Sequence, residues 1–306
     1  MNTTSTKKIL LFGGSGMLGR EFLRCFGNSP HYEIISPPHA KVDISNRESV
    51  LEIIRETDPH IVINAAVLVD VDMCEIKPDR AYMVGTLGPL FIADALLTLQ
   101  KKNTIFIQFS SSDVFGSEFA ASPSEGETAF SPVNAYSRSK YYAEKCIKSI
   151  LRDVGFSLYI IRCSWIYSEF KKTFVDAVSQ HVLRPVGIFA VAENQRGIPT
   201  WGKEIAENTW RLIEERYPFG DYHFVAEAHD GEATRYDIAL EIARILGRKD
   251  EKSLFSKVPR TQIFKALRPA SSAITNTKFP KFRNWKDSLG LFLNGKYSRA
   301  NHENTF

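Results

Sequence analysis

The chain is poor in cysteine and in net charge. Four cysteines stand among 306 residues, at Cys25, Cys74, Cys146 and Cys163, scattered and without a C-x-x-C pair. That pattern excludes a disulfide framework and a cysteine-built zinc site. It reads as buried or free thiols of a reducing compartment, so a cytoplasmic protein is expected, and no metal site is assigned. Lysine and arginine exceed aspartate and glutamate by only four, 39 against 35. With so small a surplus and no basic stripe interleaved with aromatics, no nucleic-acid partner is expected. The start, MNTTSTKK, is polar and runs at once into an apolar strand; the apolar stretch and small-residue cleavage site of a secretory signal are missing. No apolar run approaches the roughly 18 residues needed to cross a bilayer, so no membrane partner is expected. Internal repeats and low-complexity tracts are missing too. What remains is an ordinary globular composition, 43% hydrophobic and 24% charged. The length suits one large domain, or a domain with a smaller partner.

Within that composition, short apolar runs alternate with helical periodicity. KKILLFGG, YEIISPP, HIVINAA, NTIFIQFSSS and FSLYIIRCSWIY read as strands. Between them GMLGREFLRCFG, NRESVLEIIRETDP, PDRAYMVGTLGPLFIADALLTLQKK and SPVNAYSRSKYYAEKCIKSILRDVG read as helices. Gly27 is the expected stop of the first helix; Asn46 and Pro59 are the cap and stop of the second. The third is expected to be disturbed near Gly88-Pro89. Strand-helix alternation of this kind predicts an α/β fold, a doubly wound parallel (Rossmann) sheet over 7–167 completed by parts of 188–228. A smaller C-terminal substrate domain, discontinuous, is expected over 168–300. Its last ~50 residues, rich in prolines and basic groups, read as irregular.

In such sheets ligands bind at the carboxyl ends of the strands. The first strand ends in GGSGMLG, where Gly13, Gly16 and Gly19 form a G-x-x-G-x-x-G turn. Glycine permits the tight turn and the close approach of a phosphate, and the helix that follows offers free N–H groups to a pyrophosphate. Gly13, Ser15, Gly16, Met17 and Leu18 are therefore cofactor-binding candidates for a nicotinamide dinucleotide. Glu33 lies too early in the second strand to hold the ribose hydroxyls. His39 and Lys41 can meet a 2′-phosphate, so NADPH is expected over NADH, with Asp43 and Ile44 beside the adenine.

Tyr136 and Lys140 lie four apart on a predicted helix and so share a face. A phenol beside an ammonium is an arrangement for proton transfer, and the cation is expected to lower the tyrosine pKa. The serine run Ser110-Ser111-Ser112 ends the fourth strand, at the lip of the sheet, where a hydroxyl can bond a substrate oxygen. Tyr136 would protonate that oxygen; Lys140 would hold the cofactor ribose. Ser110 reads better as a strand-end cap.

Several stretches, GGSGMLG, VDISN, VINAA, SSSDVFG, NAYSRSK, IRCSWIY, NQRGIPT, GEATRYDIA and LRPASSA, stand in an order that resembles the extended short-chain dehydrogenase/reductase superfamily. Over nearly the whole length the chain looks most like the dTDP-4-dehydrorhamnose reductases. The resemblance implies a catalytic triad of Ser111, Tyr136 and Lys140, with Ala65, Ala66 and Val67 along the cofactor. It puts Ser112, Trp165 and Arg268 on the substrate side, and makes the substrate a nucleotide-diphosphate sugar reduced at a 4-keto group. A homodimer is a candidate assembly; some relatives dimerise around a magnesium ion, whose ligands are not identifiable in this chain. The chain departs from the family where S-T-D-Y-V-F becomes Ser110-Ser111-Ser112-Asp113-Val114-Phe115, where Val69 replaces a threonine, and where Ser168 replaces a glycine. The chemistry survives these changes, while the identity of sugar and nucleotide stays open. A nucleotide-sugar epimerase is the alternative within the superfamily; a dehydratase is disfavoured because its Asp-Glu pair is missing after Ser111. A non-catalytic NADP-binding subunit, like the regulatory subunit of methionine adenosyltransferase, is the alternative outside enzymes.

Overall fold

The computed structural model describes residues 6–116, 121–151 and 155–303. The expected N-terminal segment before residue 6, and the expected helix continuation over 152–154, lie outside the described residues. Five strands carry the scaffold: β1 (Lys7–Phe12), β2 (Tyr32–Ile35), β3 (Ile61–Asn64), β4 (Ile105–Ser111) and β5 (Leu158–Cys163). A sixth strand, Gly220–Phe224, comes from far down the chain and pairs with β5. All five pairings are parallel, and the order is β2-β1-β3-β4-β5 followed by Gly220–Phe224. The strands are apolar on both faces because helices cover both. Met17–Phe26 (α1) and Gly202–Glu214 pack on one side, where Phe22, Phe26, Ile205 and Leu212 join Ile9, Leu11 and Ile63. Arg47–Thr57 (α2), Gly88–Thr98 and Ala135–Leu151 cover the other, around Leu10, Ile54, Leu96 and Ile147.

Helix ends follow the sequence signals. The Asn46 side chain accepts from Ser49 N–H at 3.0 Å, and α2 stops in the left-handed Asp58 just before Pro59. The break in the third helical stretch comes one turn earlier than Gly88-Pro89. Met83–Leu87 is a π-turn between Pro78–Tyr82 and Gly88–Thr98. It lies against the helix carrying Tyr136: Thr86 Oγ1 donates to Ser139 O at 2.8 Å, and a Cβ on Gly85 would stand 2.4 Å from Ser139 Oγ. Pro78–Thr98 also corrects the hydropathy reading, since its 21 residues are apolar and long enough to cross a membrane by length and composition. Half of it is buried in the protein, because it packs between α2 and Ala135–Leu151.

Beyond β5 a separate core gathers Val175, Val178, Phe255, Ile238, Trp285, Leu289, Phe292 and Leu293. Two small parallel or antiparallel pairs brace it, Phe189–Ala192 with Phe255–Val258 and Arg196–Gly197 with Ala233–Thr234. The last segment is not irregular throughout. Trp285–Glu303 is a helix in spite of Gly290 and Gly295. Its apolar residues at 285, 289, 292 and 293 recur at helical spacing and are buried, and that packing outweighs the glycine propensity cost of about 1 kcal/mol each.

Candidate active site

The order in which successive strands are added reverses between β1 and β3, and a switch point of this kind opens a crevice at the carboxyl ends of the strands. A cleft of about 680 Å³ lies there. Gly13, Ser15, Gly16, Met17 and Leu18 line it at one end, with Asp43, Ile44, Ala65, Ala66 and Val67 beside them. Gly13 takes φ +83°, and a Cβ there would meet Ala66 N at 2.6 Å; only glycine lets β1 and β3 approach so closely. The Ala65-Ala66-Val67 turn is held by Asn64, which accepts from Ala66 N–H at 3.1 Å and donates to Gln108 at 2.8 Å. α1 begins at the exposed Gly16, with no side-chain cap and no acid in its first turn. Its first N–H groups therefore face the cleft without a protein partner among the described residues, and they fit a pyrophosphate. Burial pushes the Asp43 carboxyl up, but hydrogen bonds from Ser45, then His39 and Arg80, hold it below the usual range.

Lys41 does not join them. It sits in the turn closed by Lys41 N–H to Pro38 O at 2.9 Å, its side chain is exposed, and it does not line the cleft. His39 and Arg80 do line it, so these two are the basic side chains beside the Asp43 end.

At the centre, β4 ends in the serines and the helix Ala135–Leu151 starts beside it. Ser110 borders the cleft too, but its hydroxyl is engaged, donating to Glu144 Oε1 at 2.6 Å, a structural bond. Ser111, Ser112, Asp113, Tyr136 and Lys140 all line the cleft. Ser111 Oγ accepts from Asp113 N–H at 3.2 Å, and the Ser111 hydroxyl and the Tyr136 phenol line the same part of the cleft. Lys140 is buried, and its ammonium donates to Phe109 O at 3.0 Å.

The expected lowering of the Tyr136 pKa is corrected by the structure. Burial, then the Asp113 charge, push the phenol well above its ordinary value, and only the Ser111 hydroxyl pulls it back. Lys140 carries the shift instead: burial brings it down to about 8, against the pull of Glu144. Tyr136 is thus held as a proton donor at neutral pH. Asp113, which contributes to that state, was not singled out by sequence reasoning. It accepts from Ser272 Oγ at 2.7 Å, and burial raises its own pKa.

At the far end stand Trp165, Gln195, Arg235, Phe264 and Arg268. Trp165 takes φ +35°, a strained left-handed conformation for a bulky residue. Its ring lies flat against Gly197, where a Cβ would come within 2.6 Å of the indole. Arg268 pairs with Asp72 at 3.0 Å. Gln195 and Arg235 escaped the sequence reading although they lie inside NQRGIPT and GEATRYDIA. The available signal was a cation directly after the Thr234 cap, at the positive end of a helix, where helix stability disfavours it.

A parallel doubly wound sheet with a glycine turn, an uncapped helix start and a Ser-Tyr-Lys cluster at its carboxyl edge defines a short-chain dehydrogenase/reductase fold. The chain belongs to the RmlD substrate binding domain family, whose model matches residues 7–297. It is 30% identical over 292 residues to the dTDP-4-dehydrorhamnose reductase of Escherichia coli strain K12, covering 89% of this chain and 90% of that protein. It is 26% identical over 295 residues to the spore coat polysaccharide biosynthesis protein SpsK of Bacillus subtilis strain 168, covering 95% and 98%. Among solved structures, the dTDP-4-dehydrorhamnose reductase of Bacillus anthracis strain Ames, in complex with NADP, superposes with a TM-score of 0.85 at 23% identity, covering 95% and 99%.

Proposed function

We propose that this protein is an NADPH-dependent reductase of a 4-keto-6-deoxy nucleotide sugar, dTDP-linked as in its named relatives, acting in the cytoplasm in deoxysugar and polysaccharide biosynthesis. The observation that carries the reading is that Ser111, Tyr136 and Lys140 line the same cleft as the uncapped start of α1. The E. coli and B. anthracis relatives support the reaction and the cofactor.

When bound, NADPH supplies the hydride. The backbone of Gly13–Leu18 would hold its pyrophosphate, Ala65–Val67 would flank it, and His39 with Arg80 would meet the 2′-phosphate. Tyr136 gives its proton to the substrate carbonyl oxygen as negative charge gathers there, and Ser111 donates a hydrogen bond to the same atom. The Lys140 ammonium, kept charged by Glu144, stabilises the phenolate that remains. Ser112, Trp165 and Arg268 lie on the substrate side.

The test follows NADPH absorbance with dTDP-, GDP-, UDP- and CDP-linked 4-keto-6-deoxyhexoses. Stoichiometric NADPH loss with the dTDP sugar is expected. Interconversion of sugars without net NADPH loss would make the protein an epimerase, and no turnover on any of the four would reduce it to a binding subunit.

A further inference from the structure

The two arginines at the far end of the cleft are not equivalent. Arg268 already has an anion, since its Nη2 lies 3.0 Å from Asp72 Oδ1, an oxygen that also accepts from Ala266 N–H at 2.9 Å. Arg235 has none: among the described residues no carboxylate stands at ion-pair distance from it. Its Nε donates to Gln195 Oε1 at 2.8 Å, a neutral partner. The guanidinium carbon lies 4.4 Å over the Trp165 ring, 5.0 Å over Phe174 and 5.5 Å over Phe264. Aromatic faces thus hold the planar cation on its flat sides, which leaves its edge free to bond in plane. The terminal nitrogens donate to no protein atom among the described residues.

This placement is costly in two ways. Arg235 is the first residue of the helix Arg235–Ile245, where the macrodipole repels a cation. Burial, then the Arg268 charge, also bring its pKa down, to about 10. Asp113 pulls the other way, but its carboxylate is engaged with Ser272. The fold therefore keeps an unneutralised cation on a rigid platform, on the side of Tyr136 away from the glycine turn. A partly buried charge with its terminal donors unused is complementary to an anion that arrives with a ligand.

We propose that Arg235 is the anion receptor of the substrate end: its guanidinium edge takes an anionic oxygen of the nucleotide sugar, with Trp165 as its platform. The proposal deepens the nucleotide-sugar reading above and rests on it. Two sources share this chemistry, the diphosphate bridge of the 6-deoxy sugar nucleotide proposed above and the carboxylate of a uronate taken in its place.

The experiment is calorimetric titration of the full chain, saturated with NADPH, with dTDP, thymidine, UDP-glucose and UDP-glucuronate. Arg235→Met is expected to weaken dTDP by about 10–100-fold, the loss typical of charge-assisted hydrogen bonds, while thymidine and NADPH affinities stay unchanged. Arg235→Lys, which keeps the charge and loses the planar fork, should recover part of that loss. Loss confined to UDP-glucuronate, with dTDP and UDP-glucose unaffected, assigns the sugar carboxylate as the source. Equal affinities of wild type and Arg235→Met for every ligand overturn the proposal. If Arg235→Met does not fold, Arg235→Lys decides: affinities equal to wild type overturn it, and a partial loss supports it. Turnover assays stay separate. Absent reduction by the wild type would sink the reductase reading, whereas the binding contrast alone decides Arg235.

Discussion

At the residue scale the site turns on two protonation states. Tyr136 stays a phenol because burial and Asp113 oppose the phenolate, the state a donor needs when reduction creates an alkoxide. Tyr136→Phe keeps the ring and removes the proton. Its kcat should fall about 10²–10⁴-fold while NADPH affinity, measured by fluorescence titration, is unchanged; undiminished turnover would dismiss the proton-transfer role. Lys140 carries a pKa of about 8 against an ordinary 10.5. A base whose folded pKa is depressed costs stability wherever it is charged in the fold, here below about pH 8, and the cost is relieved as pH rises from about 8 to 10.5. Lys140→Met should therefore be more stable than wild type at pH 7, by up to about 3 kcal/mol. The difference should shrink toward pH 10.5 in urea denaturation, and activity should be lost. A variant less stable than wild type at pH 7 would refute the cost assigned to the buried cation.

At the element scale the strand-turn-helix unit of β1 and α1 separates two kinds of glycine. Gly13 is held by backbone, since its φ is +83° and its missing Cβ faces Ala66 N at 2.6 Å. Gly13→Ala should lose stability, seen as a lower melting temperature. Gly16 is exposed, and a Cβ there would meet only Gly13 O, at 3.1 Å. Gly16→Val should fold nearly normally and lose NADPH binding, because the side chain stands over the free N–H groups of α1. Retained binding in that variant would remove the pyrophosphate from this turn. Both glycines were legible in the sequence because local periodicity shows where a strand ends and a helix begins. The helix Trp285–Glu303 was not, because Gly290 and Gly295 lower its propensity and only its burial restores it. The π-turn Met83–Leu87 was displaced in the reading for a similar reason: Gly88-Pro89 announces a break, while contact with Ser139 decides where the backbone gives way.

At the scale of the whole molecule, a buried charge network joins the sheet to the helix that carries the site. Arg162, fully buried, donates to Glu144 Oε2 at 2.6 Å and Asp221 Oδ2 at 2.9 Å, and Lys148 reaches the same Asp221 oxygen at 2.5 Å. His223 meets Arg162 Nη1 at 3.3 Å through Nε2 and Thr275 O at 3.0 Å through Nδ1. Arginine only donates, so Nε2 must accept and Nδ1 must carry the hydrogen. Protonation would set N–H against N–H. Burial, then Arg162, accordingly lower the His223 pKa to about 4. A histidine kept neutral in the fold loses stability as pH falls from its unfolded value of about 6.5 toward 4. Burial raises Asp221, yet Lys148 and Arg162 hold it low, and burial raises Glu125 while Thr277 holds it low. These carboxylates lose stability in the same direction, as pH falls through their lowered folded values. Acid unfolding should thus begin near pH 6, and the His223 ring, followed by NMR, should titrate only near pH 4. A ring titrating near 6.5 would contradict a neutral buried imidazole.

What the sequence determined by itself was local: alternating strands and helices, the glycine turn, and one helical face shared by Tyr136 and Lys140. Backbone periodicity and glycine's conformational freedom act over a few residues, so they are written in neighbouring letters. Only the tertiary structure decided that a strand from residues 220–224 closes the sheet, that burial and then Asp113, rather than Lys140, set the state of the phenol, and that Lys41 faces solvent while Arg80 faces the cleft. It also decided that Arg235 lies on Trp165, 70 positions away in the chain. Burial and charge depend on which distant segments meet, and those meetings are settled by packing the whole chain.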